Sequence, residues 1–316
     1  MQKKNKWKVF GYSFLGIVII AVSVLGYEYY QLQPKNHFKS IPVVSSGNNS
    51  DKTVQQGNSN DTAFNVLIMG SDARPGETAG HSDSMMLVHV DLGKNQLNVV
   101  SIPRDTRVYL NGYGYTKLTS IQYILQANKG PKQGIEETVN AISKLTGVPI
   151  NYYAETNFGG LQAMVDTLGG ITMNVPETIK INSQVINAGP HFVNGTMALA
   201  IARERHTAAD GDYARQMAQL EVLKGIGKEA LRPGNIPKLP SLVNSVYQYM
   251  IGTNMSTSDM LSLALAVKNI NPNKQVHYQQ IPGTQEVMYD DILKANNDEI
   301  VIDPQKLKSI ITKNFQ

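Results

Sequence analysis

The sequence predicts an α/β protein, a mixed central sheet with helices packed on it, preceded by a single N-terminal transmembrane helix. Three observations carry this expectation. Strand-like runs at residues 64–70, 84–90 and 96–102 are joined by links short enough for hairpins. Beyond them, segments with helical spacing alternate with further strands. Ahead of them, residues 9–27 hold no charged side chain and follow Lys3, Lys4, Lys6 and Lys8.

Residues 1–8 read as a cytoplasmic tail, because lysines beside an apolar span stay on the cytoplasmic side. Nineteen uncharged residues at 9–27 would rise about 28 Å as a helix, close to the thickness of a bilayer's hydrocarbon core. The run is longer than the apolar core of a cleaved signal peptide and leads into Tyr27-Glu28-Tyr29-Tyr30, an aromatic cluster suited to a membrane interface. The expected location is the cell membrane, single-pass, with everything after the span outside. Residues 28–62, rich in Asn, Ser, Gln and Gly, read as a flexible extracellular linker. Residues 63–316 read as the folded domain.

Within that domain both faces of the first strands carry apolar residues, as buried strands do. The third run ends at Ser101-Ile102-Pro103-Arg104-Asp105-Thr106, where proline stops the ladder. If both links are hairpins, Asp72, Arg74, Asp83, Arg104 and Asp105 meet at one end of one sheet. Helices follow at residues 117–128 and 134–145, a strand at 150–155, a helix at 158–168 and a strand at 171–175. A helix at 194–202 leads into Arg203-Glu204-Arg205-His206. The two arginines share a side only if the helix ends near Ala202. A helix from Asp212 to about residue 231 places Arg215 and Gln219 on one face. Helices at 239–250, 255–267 and 304–315 and a strand at 275–281 complete the reading.

Composition is that of an ordinary globular protein, 41% hydrophobic and 17% charged in 316 residues. A net charge of +4, partly in the N-terminal tail, gives no basic surface that would argue for nucleic acid. The chain has no cysteine, so disulfides and thiolate metal sites are excluded. No phosphate-binding glycine loop and no His-Glu-x-x-His occurs. The six histidines are scattered, Ser101 lacks a nucleophile-elbow context, and the methionines suit a core.

Asp72 and Asp83 offer hard oxygen ligands of the kind Mg²⁺ takes beside substrate phosphate and water. Arg74, Arg104, Arg203, Arg205 and Arg215 offer planar forks that match phosphate oxygens. Together they suit phosphoryl transfer, which depends on positioning and charge neutralisation. Spacing alone leaves a second reading open, in which these arginines and aspartates are surface ion pairs.

Five segments resemble the motif series of the LytR-CpsA-Psr family: residues 65–74, 82–88, 101–106, 165–171, and Arg203-Glu204-Arg205 with Gly211-Asp212-Tyr213-Ala214-Arg215. They lie in order and at family-like spacing between residues 64 and 231. The resemblance implies a Mg²⁺-dependent phosphotransferase of the extracellular face. Such an enzyme moves a teichoic-acid or capsule-type glycopolymer from a polyprenyl pyrophosphate carrier to peptidoglycan in a Gram-positive wall. By that likeness Asp72 and Asp83 touch the metal, while Arg104, Arg203, Arg205 and Gln219 hold the pyrophosphate. Arg74, His81, Lys117 and Arg215 join them in the expected pyrophosphate-binding set, and Asp105 joins Asp72, Asp83 and Arg104 in the expected catalytic set. The sequence departs from the family at His81 and Ala218, where arginines are usual, and at Ile201, where tyrosine is common. If His81 faces the pyrophosphate, its charge there depends on pH where arginine's would not. The alternative function is a non-catalytic or regulatory membrane protein that binds lipid-linked wall precursors.

Overall fold

Strand β1 (Ala63–Ser71) lies inside a six-stranded sheet because apolar side chains leave it on both sides. A computed structural model of the chain describes residues 23, 26–45, 55–56, 62–74, 77, 79–204 and 211–315. β1 pairs antiparallel with β2 (Ser82–Asp91), which pairs antiparallel with β3 (Gln96–Ser101), so the expected three-strand meander is present. A hairpin, β4 (Arg107–Leu110) and β5 (Gly114–Lys117), then leads into α1 (Leu118–Lys129) and α2 (Pro131–Thr146). β6 (Tyr152–Asn157) returns parallel to β1.

Next come α3 (Phe158–Thr167), β7 (Ile171–Val175), two short strands β8 (Ile179–Ile181) and β9 (Gln184–Ile186), and β10 (Gly189–Val193), which pairs with β7. Helices α4 (Gly195–Arg203), α5 (Asp212–Ala230) and α6 (Leu239–Gln248) follow. β11 (Met250–Thr253) borders β6, α7 (Thr257–Val267) crosses back, and β12 (Val276–Gln280) adds parallel to β3. The hairpin β13 (Gly283–Asp290) and β14 (Ala295–Ile302) precedes α8 (Pro304–Phe315). The sheet order is therefore β11-β6-β1-β2-β3-β12, the mixed sheet that the sequence predicts.

One sheet face packs Leu67, Met69, Leu87 and Val100 against Ile121 of α1, Ile135 and Val139 of α2, and Ile310 of α8. The other sets Val66, Val88 and Val99 against Leu220 of α5 and Met255. A separate apolar cluster joins β7 to α4 and α5 through Ile171, Ile201, Ala218 and Val222.

The N-terminal reading is corrected in part. Residues 26–32 and Pro34–His37 are helical, and Phe38 and Ile41 are fully buried beside Phe64 and Tyr152. Two apolar anchors inside a polar stretch fix the chain there, where composition predicts a flexible linker. No helix among the described residues is long and apolar enough to cross a membrane. Most of the expected span, residues 9–22, 24 and 25, lies outside the described residues.

Candidate functional site

Asp83 owes its position to a bulge. Gly70 faces Ser84 and Ser71 faces Ser82, so Asp83 is the extra residue of β2 at the end of the ladder. A bulge re-aims a side chain and stops pairing. The loop between β1 and β2 closes on itself at the same point. The Asp72 backbone N–H donates to the His81 carbonyl (3.1 Å), and the His81 N–H donates to Asp72 Oδ1 (2.6 Å). Gly80 permits this approach, since a Cβ there would fall 2.5 Å from Ser71 Oγ and 2.7 Å from Ala73 Cβ.

Arg104 follows β3 at the same end. Its Nη1 donates to Asp83 Oδ1 at 2.5 Å, and its Nε lies 3.7 Å from Asp105 and 4.0 Å from Asp212. Burial works against the Arg104 charge, but Asp83 above all, with Asp105 and Asp212, outweighs it and raises the pKa further. Arg104 Nε is buried with no hydrogen-bond partner. Lys117 Nζ holds Asp105 at 3.0 Å. The Arg104 carbonyl accepts from Thr119 N at 2.9 Å, so the start of α1 fixes the backbone.

The first turn of α5 completes the cluster. Asp212 accepts from Arg215, and its Oδ2 accepts from Gln216 Nε2 at 2.8 Å. Arg215 Nη2 also donates to the Asp83 carbonyl at 3.4 Å, so Asp83 is bracketed by two guanidinium groups. One turn on, Gln219 donates to the Ala202 carbonyl at 3.3 Å, while its Oε1 is buried without a partner. α4 ends at Arg203, one residue beyond the expected limit, and the Arg203 guanidinium lies 4.4 Å over the Phe158 ring.

The structure thus gathers Asp72, Asp83, Arg104, Asp105, Lys117, Arg203, Arg215 and Gln219 at one end of the sheet. Arg74 is exposed in the loop, its backbone N–H held by Glu77, and no ion pair among the described residues ties its side chain to the cluster. His81 stands beside Asp72, with Nδ1 3.6 Å from Oδ2, and stacks on Tyr123 at 4.6 Å. Ala218 sits in the apolar cluster beneath α5, not at the charged surface. Arg205 lies outside the described residues.

Sequence reasoning missed two parts of the site. Asp212 reads as part of a motif and Gln216 as a helix residue, and neither as a member of the site, although the spacing of Asp212, Arg215 and Gln216 puts all three on one side of the first turn. It also missed an apolar cleft that begins at the charged cluster. A cavity of about 80 Å³ runs between Ile68 of the sheet and Phe158, Leu161, Leu199 and Val222, with Asp83, Arg203 and Gln219 at its edge. A second, of about 460 Å³, continues between Val88, Leu97 and Val99 of the sheet and Leu220 and Leu231. Ile68 and Leu223 line both, so the two spaces adjoin.

Among the described residues no group of three or more His, Asp or Glu side chains is placed to hold a metal ion. Asp72 and Asp83 supply two carboxylates at this end of the sheet, each with one oxygen engaged by the protein through His81 N–H or Arg104. That set fits Mg²⁺, which keeps water and takes phosphate oxygens when only one or two carboxylates are supplied. Chemically, cations beside an apolar cleft suit a ligand with an anionic head and an apolar tail.

Known proteins share this architecture. The polyisoprenyl-teichoic acid–peptidoglycan teichoic acid transferase TagU of Bacillus mycoides is 28% identical over 283 residues, covering 90% of this chain and 89% of its own. The crystal structure of B. subtilis TagV superposes with a TM-score of 0.67 at 24% identity, covering 80% of this chain and 96% of TagV. The structure of TagT bound to LI-WTA superposes with a TM-score of 0.63 at 25% identity, covering 84% and 95%. The LytR_cpsA_psr family model matches residues 29–314, and the chain belongs to that family.

Proposed function

We propose that the protein transfers a phosphate-linked glycopolymer from a polyprenyl pyrophosphate carrier to peptidoglycan at the outer face of the cell membrane, with Mg²⁺ as cofactor. One observation carries the reading: the cluster of cations and carboxylates stands beside an apolar cleft whose lining includes Asp83, Arg203 and Gln219, an arrangement that suits a pyrophosphate head with an isoprenoid tail. The relatives named as teichoic acid transferases support it, and so does the lysine-flanked uncharged run at residues 9–27.

Arg104 and Gln219 hold the pyrophosphate oxygens from the sheet and from α5, joined by Arg203 from the end of α4 and Arg205 beyond it. Asp105 and Lys117 orient Arg104, and Arg215 and Asp212 fix α5 beside Asp83. Arg74 and His81 stand at the rim on the loop side. Mg²⁺ held by Asp72 and Asp83 supplies positive charge against the pyrophosphate oxygens when bound. An acceptor hydroxyl of peptidoglycan attacks the phosphorus that carries the sugar. As that O–P bond forms, the bond to the bridging oxygen breaks, polyprenyl phosphate leaves, and a carboxylate of the cluster takes the hydroxyl proton.

The test incubates the full-length protein in detergent with a labelled polyprenyl-pyrophosphate sugar, Mg²⁺ and peptidoglycan fragments. Label should move to the fragments, and Asp83→Asn should lower turnover by roughly a hundredfold or more while leaving the melting temperature close to native. Label retained on the protein without transfer would instead identify a precursor-binding protein.

A further inference from the structure

The cleft has two ends, and the reading above uses one. From Gln219 to the end of α5 at Ala230 the helix rises roughly 16 Å, and at that end the cleft is lined by exposed residues, Lys228, Arg232, Pro233 and Lys268. Its walls there are apolar, Leu97, Leu231, Val267 and Val276, and its rim carries Lys224, Lys228, Arg232 and Lys268. Glu221 lies 2.7 Å from Lys224 and Glu229 lies 3.3 Å from Arg232, so the rim sets four cations against two carboxylates. An apolar opening ringed by lysine and arginine suits a surface of anionic headgroups over hydrocarbon. An anionic polymer alone would have no use for the apolar walls.

The N-terminal segment arrives at the same end of the sheet. β1 starts there, with Ala63 opposite Asp91. Gln33, Pro34 and Lys35 lie beside Leu92, Asn95, Leu265 and Ala266, and the Leu32 carbonyl accepts from the buried Ser262 hydroxyl of α7 at 2.9 Å. The next residues of α7 and its end, Val267 and Lys268, line the opening. The incoming helical residues 26–32 expose Tyr27, Tyr29 and Tyr30, side chains that favour a membrane interface.

We propose that this end of the domain docks on the anionic surface of the membrane that holds the lipid carrier. The cleft then receives the isoprenoid tail directly from the bilayer, while the charged site stands one sheet length above it. The inference rests on the lipid-carrier reading for the tail's route, and on the expected membrane anchor for proximity.

The native chain has no cysteine, so single labels are easily placed. Gly234→Cys puts a fluorophore beside the opening, where the added side chain meets open space. Glu77→Cys puts one at the opposite end of the sheet, in the exposed loop after β1. Full-length protein is reconstituted in vesicles of phosphatidylcholine alone, or of equal parts phosphatidylcholine and phosphatidylglycerol, each with a quencher dissolved in the bilayer. The label at 234 should be quenched strongly in the anionic vesicles and weakly in the neutral ones, and the label at 77 in neither. In the 234-labelled protein, Lys228→Gln, Arg232→Gln and Lys268→Gln should each reduce the docked population roughly fivefold. Equal quenching at 234 and 77, or quenching at 234 that ignores lipid charge, would overturn the proposal. So would a signal governed by protein density in the vesicle, which means contact between copies, or by added polyglycerol phosphate, which means a polymer groove. The label reads membrane contact without substrate, so a failed transfer assay and a failed docking assay remain separate outcomes.

Discussion

The two faces of the central sheet are made by neighbouring residues of the same strands, yet one is filled and the other is open. Leu67, Leu87 and Val100 are sealed under α1 and α2. Ile68, Val88 and Val99, each one residue away, face a cleft that runs along α5. The strands do not differ in apolar character; the covering helices do. α2 presents Ile135, Val139 and Ile142 to its face. At the cleft, α5 presents Lys224, Gly227 and Lys228 among its leucines. A glycine leaves space, and lysine stems line apolar surface while their heads reach water. The cleft is therefore a property of α5, and each face has its own failure mode.

The sharpest way to test this contrast is to truncate the filled face. Leu67 is fully buried in the closed core, so Leu67→Ala loses transfer free energy and leaves a cavity in packed surroundings, at a cost of about 2–5 kcal/mol. Denaturant melts should show that loss. A change below about 1 kcal/mol would mean that the closed face relaxes as easily as the open one.

The filled face also contains a carboxyl group. Glu155 on β6 is fully buried, and Gln122 Nε2 donates to its Oε1 at 2.5 Å. Gln122 Oε1 in turn accepts from Ser82, next to Asp83. Burial pushes the Glu155 pKa up from 4.5 to about 7, and the Gln122 hydrogen bond offsets only part of this. The folded state therefore keeps a proton that the unfolded state releases between these two values. Stability from this group is present below about pH 4.5, is lost as pH rises to about 7, and stays lost above. The full swing is about 3 kcal/mol. Glu155→Gln cannot titrate, so its melting temperature should exceed the native one at pH 8 and approach it at pH 5. A difference between the two proteins that is constant with pH would show that Glu155 is charged inside the fold.

The same contrast explains what the sequence disclosed. The meander was legible because residues 64–70, 84–90 and 96–102 are apolar runs closed by turn residues and by Pro103, which also marked where Arg104 would stand. The hairpin of β13 and β14 was not, since Gln285, Glu286, Asn296, Asn297 and Asp298 give it no apolar alternation. Phe38 and Ile41 were hidden by polar neighbours, and a packed segment passed for a tether. The cleft left no pattern at all. Val88 and Val99 border the cleft yet are buried apolar residues with the same period as Leu87 and Val100 on the opposite face, and a space becomes visible only once the opposing helix is known.

The smallest expected change in stability comes from filling that space. An added Cβ at Gly227 meets nothing within 4 Å, and the residue lies inside α5 without a positive φ. Gly227→Leu should therefore leave stability unchanged or raise it by up to about 1 kcal/mol, because leucine is the better helix former. The new side chain nevertheless occupies the route assigned to the isoprenoid tail. Denying the tail two buried methylene groups corresponds to roughly a tenfold loss of affinity. The proposed reaction takes place at the other end of the cleft, so that loss should appear in KM with kcat preserved. A carrier whose tail is too short to reach Gly227 should be handled equally by both proteins. If KM for the long-tailed carrier does not rise in a variant that melts at or above the native temperature, the tail does not pass along α5, and the open face needs a different explanation.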